Sequence, residues 1–478
     1  MYKFKTKPYD HQLKVFNQSK DAENFALFME MGTGKTKVAI DTIGYLYQTK
    51  KIDAAFIIAP KGVYDNWVQK EIPQHLPNKI PSIVLRWQPN ITQAYKKEFM
   101  DFVEATGHLK LFVMNIEALS TEKGSETAKW LFRKHSNSMM VVDESTTIKN
   151  RKAMRTRNVI SLGQLCRYKR ILTGSPVTKS PMDLYSQIGF LSDKLLGFTS
   201  YYAFQGRYAV VKRRTMGHRS FQEIAGYQRL DELNEKIEEF SSRVLKKDCL
   251  DLPDKIFVRR NVALTDEQKK HYNEMKKLAL TLFQDGMLST TSSVLTQIMR
   301  LQQICCGFIK DDDETIRSIN SNRITELIDI LDETSGKVII WASFVHDITA
   351  IRDALAKEFG EQSVVTYYGE TPQEERQQIV KNFQEDQTTR FFIGQPRTGG
   401  FGLTLTAAST VIYYSNSYDL EIRLQSEDRA HRIGQKNNVT YIDLVSPGTI
   451  DEKIINALRD KIDIAGQVLN ETIESWIV

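Results

Sequence analysis

The chain has little of what marks secreted, membrane-spanning or metal-clustered proteins. It contains four cysteines in 478 residues, and two of them, Cys305 and Cys306, are adjacent. Because this spacing forms neither a metal-ligand pattern nor a disulfide framework, we expect reduced thiols and a cytoplasmic protein. The sequence has no run of about 18 apolar residues, and its first residues lack the apolar core of a signal peptide. We therefore expect no membrane role.

The chain also lacks a strong excess of one charge. It has 65 basic and 59 acidic residues, a net charge of +6, with 41% hydrophobic and 26% charged residues. An excess of this size is compatible with nucleic-acid binding but does not require it. Single hydrophobic cores stop growing at roughly 250–300 residues, so the length predicts two or three domains.

The clearest motif is a phosphate-binding loop between residues 25 and 36, which read FALFMEMGTGKT. An apolar run typical of a strand is broken by glycines, and a helical pattern follows from Lys35 to about residue 48. Backbone N–H groups of such a turn close around phosphate oxygens, and the helix N-terminus adds partial positive charge. Lys35 is expected to reach the β- and γ-phosphates, and the Thr36 hydroxyl to hold Mg²⁺. The predicted nucleotide-binding residues of the loop are Gly32, Thr33, Gly34, Lys35 and Thr36. Met29 occupies the first glycine position of the general pattern.

Two further elements suit the same site. The apolar run 139–142 leads into Asp143 and Glu144, the layout of an acidic strand end that binds Mg²⁺ through Asp143 and polarises the attacking water through Glu144. Some twenty residues before the loop, Gln12 has a side chain that can donate to and accept from an adenine edge at once. We predict that Gln12 reads the base.

The order of apolar runs predicts the fold class. Strand-like and helical stretches alternate from residue 54 to 176, and again from 337 to 393, which is typical of parallel sheets with helices on both faces. Residues 208–225 contain two strand-like runs around a glycine-containing tetrapeptide and predict a β-hairpin. Its cations are Lys212, Arg213, Arg214 and Arg219. The hairpin either contacts a nucleic-acid backbone or separates strands, or it is a solvated charged cap.

Two stretches of the second half carry chemistry. The glycine-rich segment 394–407, with Arg397, Thr398 and Gly402, suits close backbone approach to phosphates of either nucleic acid or nucleotide. Residues 425–435 predict a helix with Arg429 and Arg432 three positions apart on one face. Arginines so placed can stabilise the charge that develops on a transferring γ-phosphoryl group. By themselves they are more typical of a surface helix with mixed charge.

The motifs in order resemble the Swi/Snf-type branch of superfamily 2 helicases. The matching strings are GTGKT, IIAPKG (57–62), DEST (143–146), LTGSP (172–176), KVIIWASF (337–344) and QSEDRAHRIGQ (425–435). The resemblance extends from about residue 8 to 460. It implies two RecA-like motor domains in tandem, with ATP and Mg²⁺ as cofactors. Arg429 and Arg432 would complete an ATP site whose other half is Lys35, Thr36, Asp143 and Glu144. Ser145 and Thr146 stand where the branch usually has alanine and histidine.

The resemblance also implies domain bounds. Motor domain 1 is expected at residues 1–245, with a helical and hairpin insertion at about 180–240, and a linker at 246–260. Motor domain 2 is expected at 261–478, with a helical insertion at about 265–320. Compact forms of this kind resemble those encoded by bacteriophages, in which case the host cytoplasm is the expected location.

The expected function is that of an ATP-dependent DNA helicase or translocase. It would move as a monomer on duplex, forked or branched DNA in replication, recombination or repair. Other replication or recombination proteins would be its partners. Backbone contacts make this binding independent of sequence and sensitive to salt; Lys61, Arg397 and Thr398 are candidates beside the hairpin cations. Alternatives are the motor subunit of a restriction or nuclease complex, an RNA helicase, and a nucleotide switch without motor activity.

Overall fold

The computed structural model describes residues 2–135, 137–216, 219–284, 291–310, 315–399 and 403–468. Within the described residues the chain divides into two units, the first comprising those up to Asp251 and residues 463–468, the second comprising Leu252–Ile462. Each unit is built on its own parallel sheet. None of the helices in the described ranges combines the length and apolar character needed to cross a membrane.

The first unit is organised around a seven-stranded sheet of order β3-β4-β2-β5-β6-β1-β9. All neighbouring strands in it are parallel. The strands of this unit are β1 (Asn24–Met29), β2 (Ala54–Ala59), β3 (Ser82–Arg86), β4 (Leu109–Asn115), β5 (Ser138–Asp143), β6 (Tyr168–Leu172), β7 (Ala209–Met216), β8 (Arg219–Tyr227) and β9 (Ser241–Val244). Strands β7 and β8 pair antiparallel and form the hairpin expected over 208–225.

Helices cover both faces of this sheet. They are α1 (Asp10–Ser19), α2 (Lys35–Gln48), α3 (Tyr64–Asn66), α4 (Ile72–His75), α5 (Gln93–Glu104), α6 (Glu122–Lys134), α7 (Met154–Gly163), α8 (Asp183–Leu191), α9 (Tyr201–Tyr208), α10 (Leu230–Glu238) and α11 (Lys246–Cys249). Along β2, Phe56 and Ile58 belong to one buried apolar cluster, whereas Ala55 and Ile57 belong to the other. Because successive side chains of a strand point to opposite faces, a strand covered on both sides is apolar throughout.

The second unit contains a six-stranded parallel sheet of order β10-β17-β16-β13-β15-β14. Its strands are β10 (Lys255–Asn261), β11 (Phe308–Lys310), β12 (Ile316–Ser318), β13 (Lys337–Trp341), β14 (Val364–Tyr367), β15 (Phe391–Gly394), β16 (Ala408–Tyr413) and β17 (Val439–Val445). Its helices are α12 (Asp266–Gln284), α13 (Thr291–Cys306), α14 (Arg323–Glu333), α15 (Val345–Phe359), α16 (Arg376–Glu385), α17 (Pro396–Gly399), α18 (Leu420–Glu427) and α19 (Ile450–Val468), the last of which continues into the first unit.

The two sheets confirm the predicted fold class of two parallel-sheet α/β domains in tandem with helical insertions. In the first unit, β5, β6 and β1 are neighbours in the sheet. The three motif segments that follow these strands therefore leave the same edge, the carboxyl edge of the sheet. In open α/β sheets, ligands bind outside this edge. The fold thus assembles the predicted phosphate loop, acidic motif and LTGSP segment in one place.

Candidate functional site

The phosphate loop joins β1 to α2 as the sequence predicts. Strand β1 ends at Met29 and α2 begins at Lys35, with Gly34 as N-cap at φ +91°. A residue with a Cβ is strained at such a φ, so the turn requires glycine there. Met29, which occupies the first glycine position of the general pattern, is still a strand residue and is fully buried in the core. The departure from glycine at this position therefore falls in the strand and not in the turn itself.

Gln12 lies against this loop. It is buried on α1, its Nε2 donates to the Thr33 carbonyl oxygen at 3.1 Å, and its Oε1 accepts from the Tyr9 N–H at 3.1 Å. Each half of a glutamine amide can make two hydrogen bonds. One donor and one acceptor position thus remain beyond these two contacts, which is what an adenine edge requires.

The acidic motif is held by a tryptophan. Asp143, the last residue of β5, accepts a hydrogen bond from the Trp67 indole Nε1 at 2.8 Å and from the Glu144 N–H at 3.0 Å. Glu144 has φ +47°, and one of its carboxylate oxygens lies 3.4 Å from the Lys35 Nζ. Asp143, Glu144 and Lys35 are all buried. The lysine of the phosphate loop and the predicted catalytic glutamate therefore form an ion pair.

The electrostatics of Asp143 reflect its burial. Burial raises the pKa of Asp143, whereas the positive charge of Lys35 and the hydrogen bond from Trp67 lower that pKa. The two hydrogen bonds leave lone pairs on the carboxylate for a cation. Mg²⁺ is usually held by one or two carboxylates together with substrate phosphates and water. Asp143 fits this role, with the hydroxyl of Thr36 in the first turn of α2 as the second protein donor. Among the described residues, no group of three or more His, Cys, Asp and Glu converges on a metal position.

A buried glutamine connects the acidic motif to the LTGSP segment. The Ser145 hydroxyl donates to the Gln187 Oε1 at 2.7 Å, and the Gln187 Nε2 donates to the Pro176 carbonyl oxygen at 2.8 Å and to that of Asp183 at 2.9 Å. Gln187 lies on α8 and is fully buried. Ser145, which stands where the resembling branch has alanine, thus connects the acidic motif to the LTGSP segment through Gln187.

The helix that we predicted for residues 425–435 is wrong in its extent. Helix α18 ends at Glu427, so Arg429 and Arg432 lie beyond it. The chain leaves the helix because tertiary hydrogen bonds take over its backbone: the Arg429 carbonyl oxygen accepts from the Leu405 N–H at 2.9 Å. The Gln435 side chain in turn donates to the Ala408 carbonyl oxygen at 2.8 Å.

The two arginines nevertheless converge. The Nη1 atoms of Arg429 and Arg432 donate to the same acceptor, the Leu403 carbonyl oxygen, at 3.1 and 2.9 Å. Arg429 is buried and also donates through Nε to the Gln425 carbonyl oxygen at 2.8 Å, whereas Arg432 is half-buried. Of the two, Arg432 is therefore better placed to reach a ligand, and Arg429 better placed to hold the segment.

The glycine-rich segment of the second unit follows β15. The Gln395 Nε2 donates to the Ser343 carbonyl oxygen at 3.1 Å, and the Thr398 hydroxyl donates to the Gln395 Oε1 at 3.2 Å. Arg397 is exposed beside them. Gly402, predicted to bind nucleotide, lies outside the described residues. The structure thus supports Arg397 and Thr398 as surface groups on an ordered turn.

The remaining predicted nucleic-acid contacts belong to two segments of the first unit, the end of β2 and the hairpin. Lys61 is exposed just after β2, and Lys212 and Arg213 are exposed on β7. The side chains of Arg214 and Arg219 lie outside the described part of the hairpin. The structure describes no contact that brings Lys61 together with the hairpin cations.

Trp67 and Gln187 contact residues of the predicted motifs, although no sequence motif singles them out. Trp67 opens a π-helical turn, Trp67–Glu71, and such turns are frequent at functional sites. A buried tryptophan usually finds an acceptor for its N–H. That rule indicates that Trp67 needs a partner, but only the fold shows that the partner is Asp143.

Comparison with known proteins gives matches over nearly the whole chain. The model of the SNF2-related domain matches residues 10–308, and that of the helicase conserved C-terminal domain matches residues 322–434. The DNA annealing helicase and endonuclease ZRANB3 of Bos taurus is 28% identical over 92% of this chain and 38% of its own length. The putative ATP-dependent helicase/translocase YwqA of Bacillus subtilis is 27% identical over 94% of this chain and 46% of its own length.

A solved structure, the Sulfolobus solfataricus SWI2/SNF2 ATPase core in complex with dsDNA, is 25% identical, with a TM-score of 0.44 over 99% of this chain and 95% of that one. The chain spans less than half the length of the two curated relatives named above. These relatives are cellular proteins and give no support to the resemblance to bacteriophage forms.

Proposed function

The chain belongs to the SNF2-related family, and from this premise we propose that it is an ATP-dependent DNA helicase or translocase. The observation that carries the proposal is the ion pair between Lys35 and Glu144 at 3.4 Å, with Asp143 beside it, at the carboxyl edge of the first sheet. This is the constellation that binds a nucleoside triphosphate and activates water. The name of the relative YwqA supports ATP-dependent helicase or translocase activity, and the name of ZRANB3, a DNA annealing helicase, supports DNA as the substrate.

ATP binds at the phosphate loop, with each residue in a distinct role. Backbone N–H groups of the turn and the N-terminus of α2 hold phosphate oxygens, and Lys35 neutralises the β- and γ-phosphates. Gln12 contacts the adenine edge. Asp143 and Thr36 hold Mg²⁺, which when bound draws charge from the phosphates.

Glu144 positions the attacking water. Its ion pair with Lys35 holds the carboxylate until a phosphate competes for the same ammonium group. Binding of ATP therefore releases Glu144 to accept a hydrogen bond from water. The order of events follows: the glutamate becomes available only when the γ-phosphoryl group is in place.

Arg432 supplies the charge that turnover requires. In the second unit its guanidinium donates to the Leu403 carbonyl oxygen beside that of Arg429. A guanidinium that reaches the γ-phosphoryl group increases the rate roughly 10³–10⁵-fold in known cases. Arg429 holds the segment from which Arg432 projects.

DNA is held through its backbone. Lys61 and the hairpin residues Lys212 and Arg213 of the first unit, with Arg397 and Thr398 of the second, are surface groups suited to phosphate contacts. Contacts of this kind carry no sequence information and weaken as salt rises. We propose that the chain acts as a monomer on duplex, forked or branched DNA in replication, recombination or repair, where other proteins of these pathways are its partners.

The decisive experiment measures ATPase and unwinding with single-stranded, duplex, forked and four-way DNA, and with RNA beside them. Stimulation by DNA above RNA supports the proposal. Stronger stimulation by RNA would indicate an RNA helicase, and ATPase without any nucleic-acid response would indicate a nucleotide switch. Translocation without unwinding that is observed only when a nuclease partner is present would indicate that the chain is the motor subunit of a restriction or nuclease complex.

The Arg432→Ala variant tests the second unit in the same assay. ATP binding should stay close to wild type, because the phosphate loop is intact, while turnover falls by at least about 10³-fold. Arg352→Ala is the matched control, since Arg352 is an exposed arginine of the same unit that forms a surface salt bridge with the neighbouring Asp353. Wild-type turnover in Arg432→Ala would refute the role of this residue.

A further inference from the structure

The segment that follows the acidic motif is unusually basic. From Ser145 to Met182 the sequence has nine lysines and arginines and no aspartate or glutamate. Five of these cations fall within nine residues: Lys149, Arg151, Lys152, Arg155 and Arg157. In a chain with a net charge of only +6, this is a local concentration of positive charge, which is the electrostatic mark of a nucleic-acid surface.

Arg151 of this segment is stacked on tyrosines. Its guanidinium carbon lies 4.3 Å from the ring centroid of Tyr201 and 5.3 Å from that of Tyr202. The two rings are 5.7 Å apart and nearly perpendicular, and Tyr185 packs edge-on against Tyr201 at 5.4 Å. The Ser200 hydroxyl caps the N-terminus of α9, where both tyrosines lie. The cation and the rings therefore form one ordered surface.

The outer part of this surface is open. Tyr202 is 69% exposed and Lys152 is exposed beside Arg151. Within the ranges that the structure describes, neither Arg151 nor Lys152 forms an ion pair with a carboxylate. An exposed aromatic ring against Arg151, with the exposed Lys152 next in the chain, offers both partners that an unpaired nucleotide needs, a stacking platform and phosphate ligands.

We propose that Arg151, Lys152 and Tyr202, here called the tyrosine–arginine patch, bind single-stranded nucleic acid. The two cations hold successive phosphates and the Tyr202 ring stacks on a base. The patch favours a single strand because the base faces of an intact duplex are covered by their neighbours. The proposal deepens the proposed function by assigning a single-stranded ligand to this surface. It rests on the proposed function only in taking that single strand from the DNA on which the chain acts.

The patch is connected to the basic hairpin by one short helix. Helix α9 runs from Tyr201 to Tyr208, and β7 begins at the next residue. At 1.5 Å per residue, the helix places its two ends about 12 Å apart. Its far end is fixed because the Tyr208 hydroxyl donates to Glu232 at 3.0 Å. A strand held on the patch is thereby directed towards Lys212 and its neighbours on the hairpin.

The test compares Tyr202→Ala with the double variant Arg151→Ala/Lys152→Ala in the full chain. Binding of fluorescein-labelled oligothymidine and of a blunt duplex is followed by anisotropy over a range of salt. Tyr202→Ala should weaken oligothymidine binding roughly five- to hundredfold, the effect of losing one base–aromatic stack, and should leave the salt slope unchanged. The double cation variant should reduce the slope by about 1.4, at 0.7 per phosphate contact on a single strand.

The chain contains a matched control and a rescue. Trp130 of α6 is 43% exposed with the Lys134 ammonium 4.6 Å from its ring, but it lies outside the basic segment. Trp130→Ala/Lys134→Ala should bind oligothymidine like wild type, and Tyr202→Phe should keep the stack. Wild-type binding by Tyr202→Ala, or an equal loss on duplex and single strand, would overturn the proposal.

Basal ATPase without nucleic acid separates this proposal from the proposed function. If the patch variants lose oligothymidine binding as predicted but the wild-type chain hydrolyses no ATP, the patch is supported and the motor function is refuted. If the wild-type chain has DNA-stimulated ATPase but the patch variants bind oligothymidine normally, the motor function is supported and the patch is refuted.

Discussion

Replacing Gly34 by alanine tests how the phosphate loop and α1 hold one another. A Cβ at Gly34, placed on the observed backbone, would lie 2.2 Å from the Gln12 Nε2 and 3.0 Å from its Cδ. Gln12 would have to move, and its hydrogen bonds to the Thr33 carbonyl oxygen and from the Tyr9 N–H would be lost. The substitution therefore acts on a residue that is distant in sequence.

The size of the effect follows from two contributions. Alanine at φ +91° is strained by about 1–2 kcal/mol, and each lost hydrogen bond lowers stability by about 1 kcal/mol. Gly34→Ala should thus lower the free energy of unfolding by about 3–4 kcal/mol. Gly32→Ala is the matched control, because Gly32 has φ +84° but no atom within 4 Å of the position that a Cβ would take. It should show the strain alone, about 1–2 kcal/mol.

A double-mutant cycle with Gln12→Ala isolates the contact. Urea unfolding followed by far-ultraviolet circular dichroism gives the four free energies. Gln12→Ala should lower stability by about 2 kcal/mol alone and by little in the Gly34→Ala background, a coupling of about 2 kcal/mol. The preference for ATP over GTP should fall in Gly34→Ala but not in Gly32→Ala. Equal losses for the two glycine variants, with an additive effect of Gln12→Ala, would refute the reasoning.

Three further predictions concern buried polar groups of the first unit. Trp67→Phe removes the indole N–H that donates a hydrogen bond to Asp143. It should lower the free energy of unfolding, measured in urea, by about 1.5–3 kcal/mol. An unchanged free energy would mean that this hydrogen bond contributes nothing to stability. Ser145→Ala leaves the Gln187 Oε1 without its donor and should reduce DNA stimulation of the ATPase while basal ATPase stays, and Gln187→Ala should add nothing in the double variant. Burial and nearby lysines lower the pKa of His75 to about 4, below its ordinary 6.5. The wild type should therefore lose stability as pH falls from about 6.5 towards 4, and His75→Gln should lose less over that window. Identical pH profiles would contradict this.

Local patterns predicted the parts of the site that are continuous in the chain. The strand, turn and helix around Lys35 and the strand leading to Asp143 lie where their periodicity placed them, because both strands are apolar on two faces. The Trp67–Asp143 hydrogen bond joins residues 76 positions apart, and nothing in either local pattern encodes it. Such contacts follow from the order of strands in the sheet, which the sequence does not state.

The predicted helix over 425–435 failed for a related reason. Its residues have helical periodicity, and propensity alone would continue α18 past Glu427. The hydrogen bond from the Leu405 N–H diverts the chain, because it takes up the Arg429 carbonyl oxygen that the helix would otherwise use. Arg429 and Arg432 still converge, but on the Leu403 carbonyl oxygen rather than on one helical face. The two arginines therefore lie close together, but the helix on which we predicted them is wrong.

The two cations that we propose for turnover, Lys35 and Arg432, share one arrangement. Lys35 lies 3.4 Å from Glu144, and Arg432 donates to the Leu403 carbonyl oxygen at 2.9 Å. Each has an acceptor within its own unit, so under the proposed function each exchanges an acceptor for a phosphate oxygen during turnover. Under the proposed function, Lys35 makes this exchange when ATP binds, and Arg432 makes it only once a γ-phosphoryl group is in place. Hydrolysis then follows binding in a fixed order, and an Arg432→Ala chain that bound ATP should stop after the first exchange.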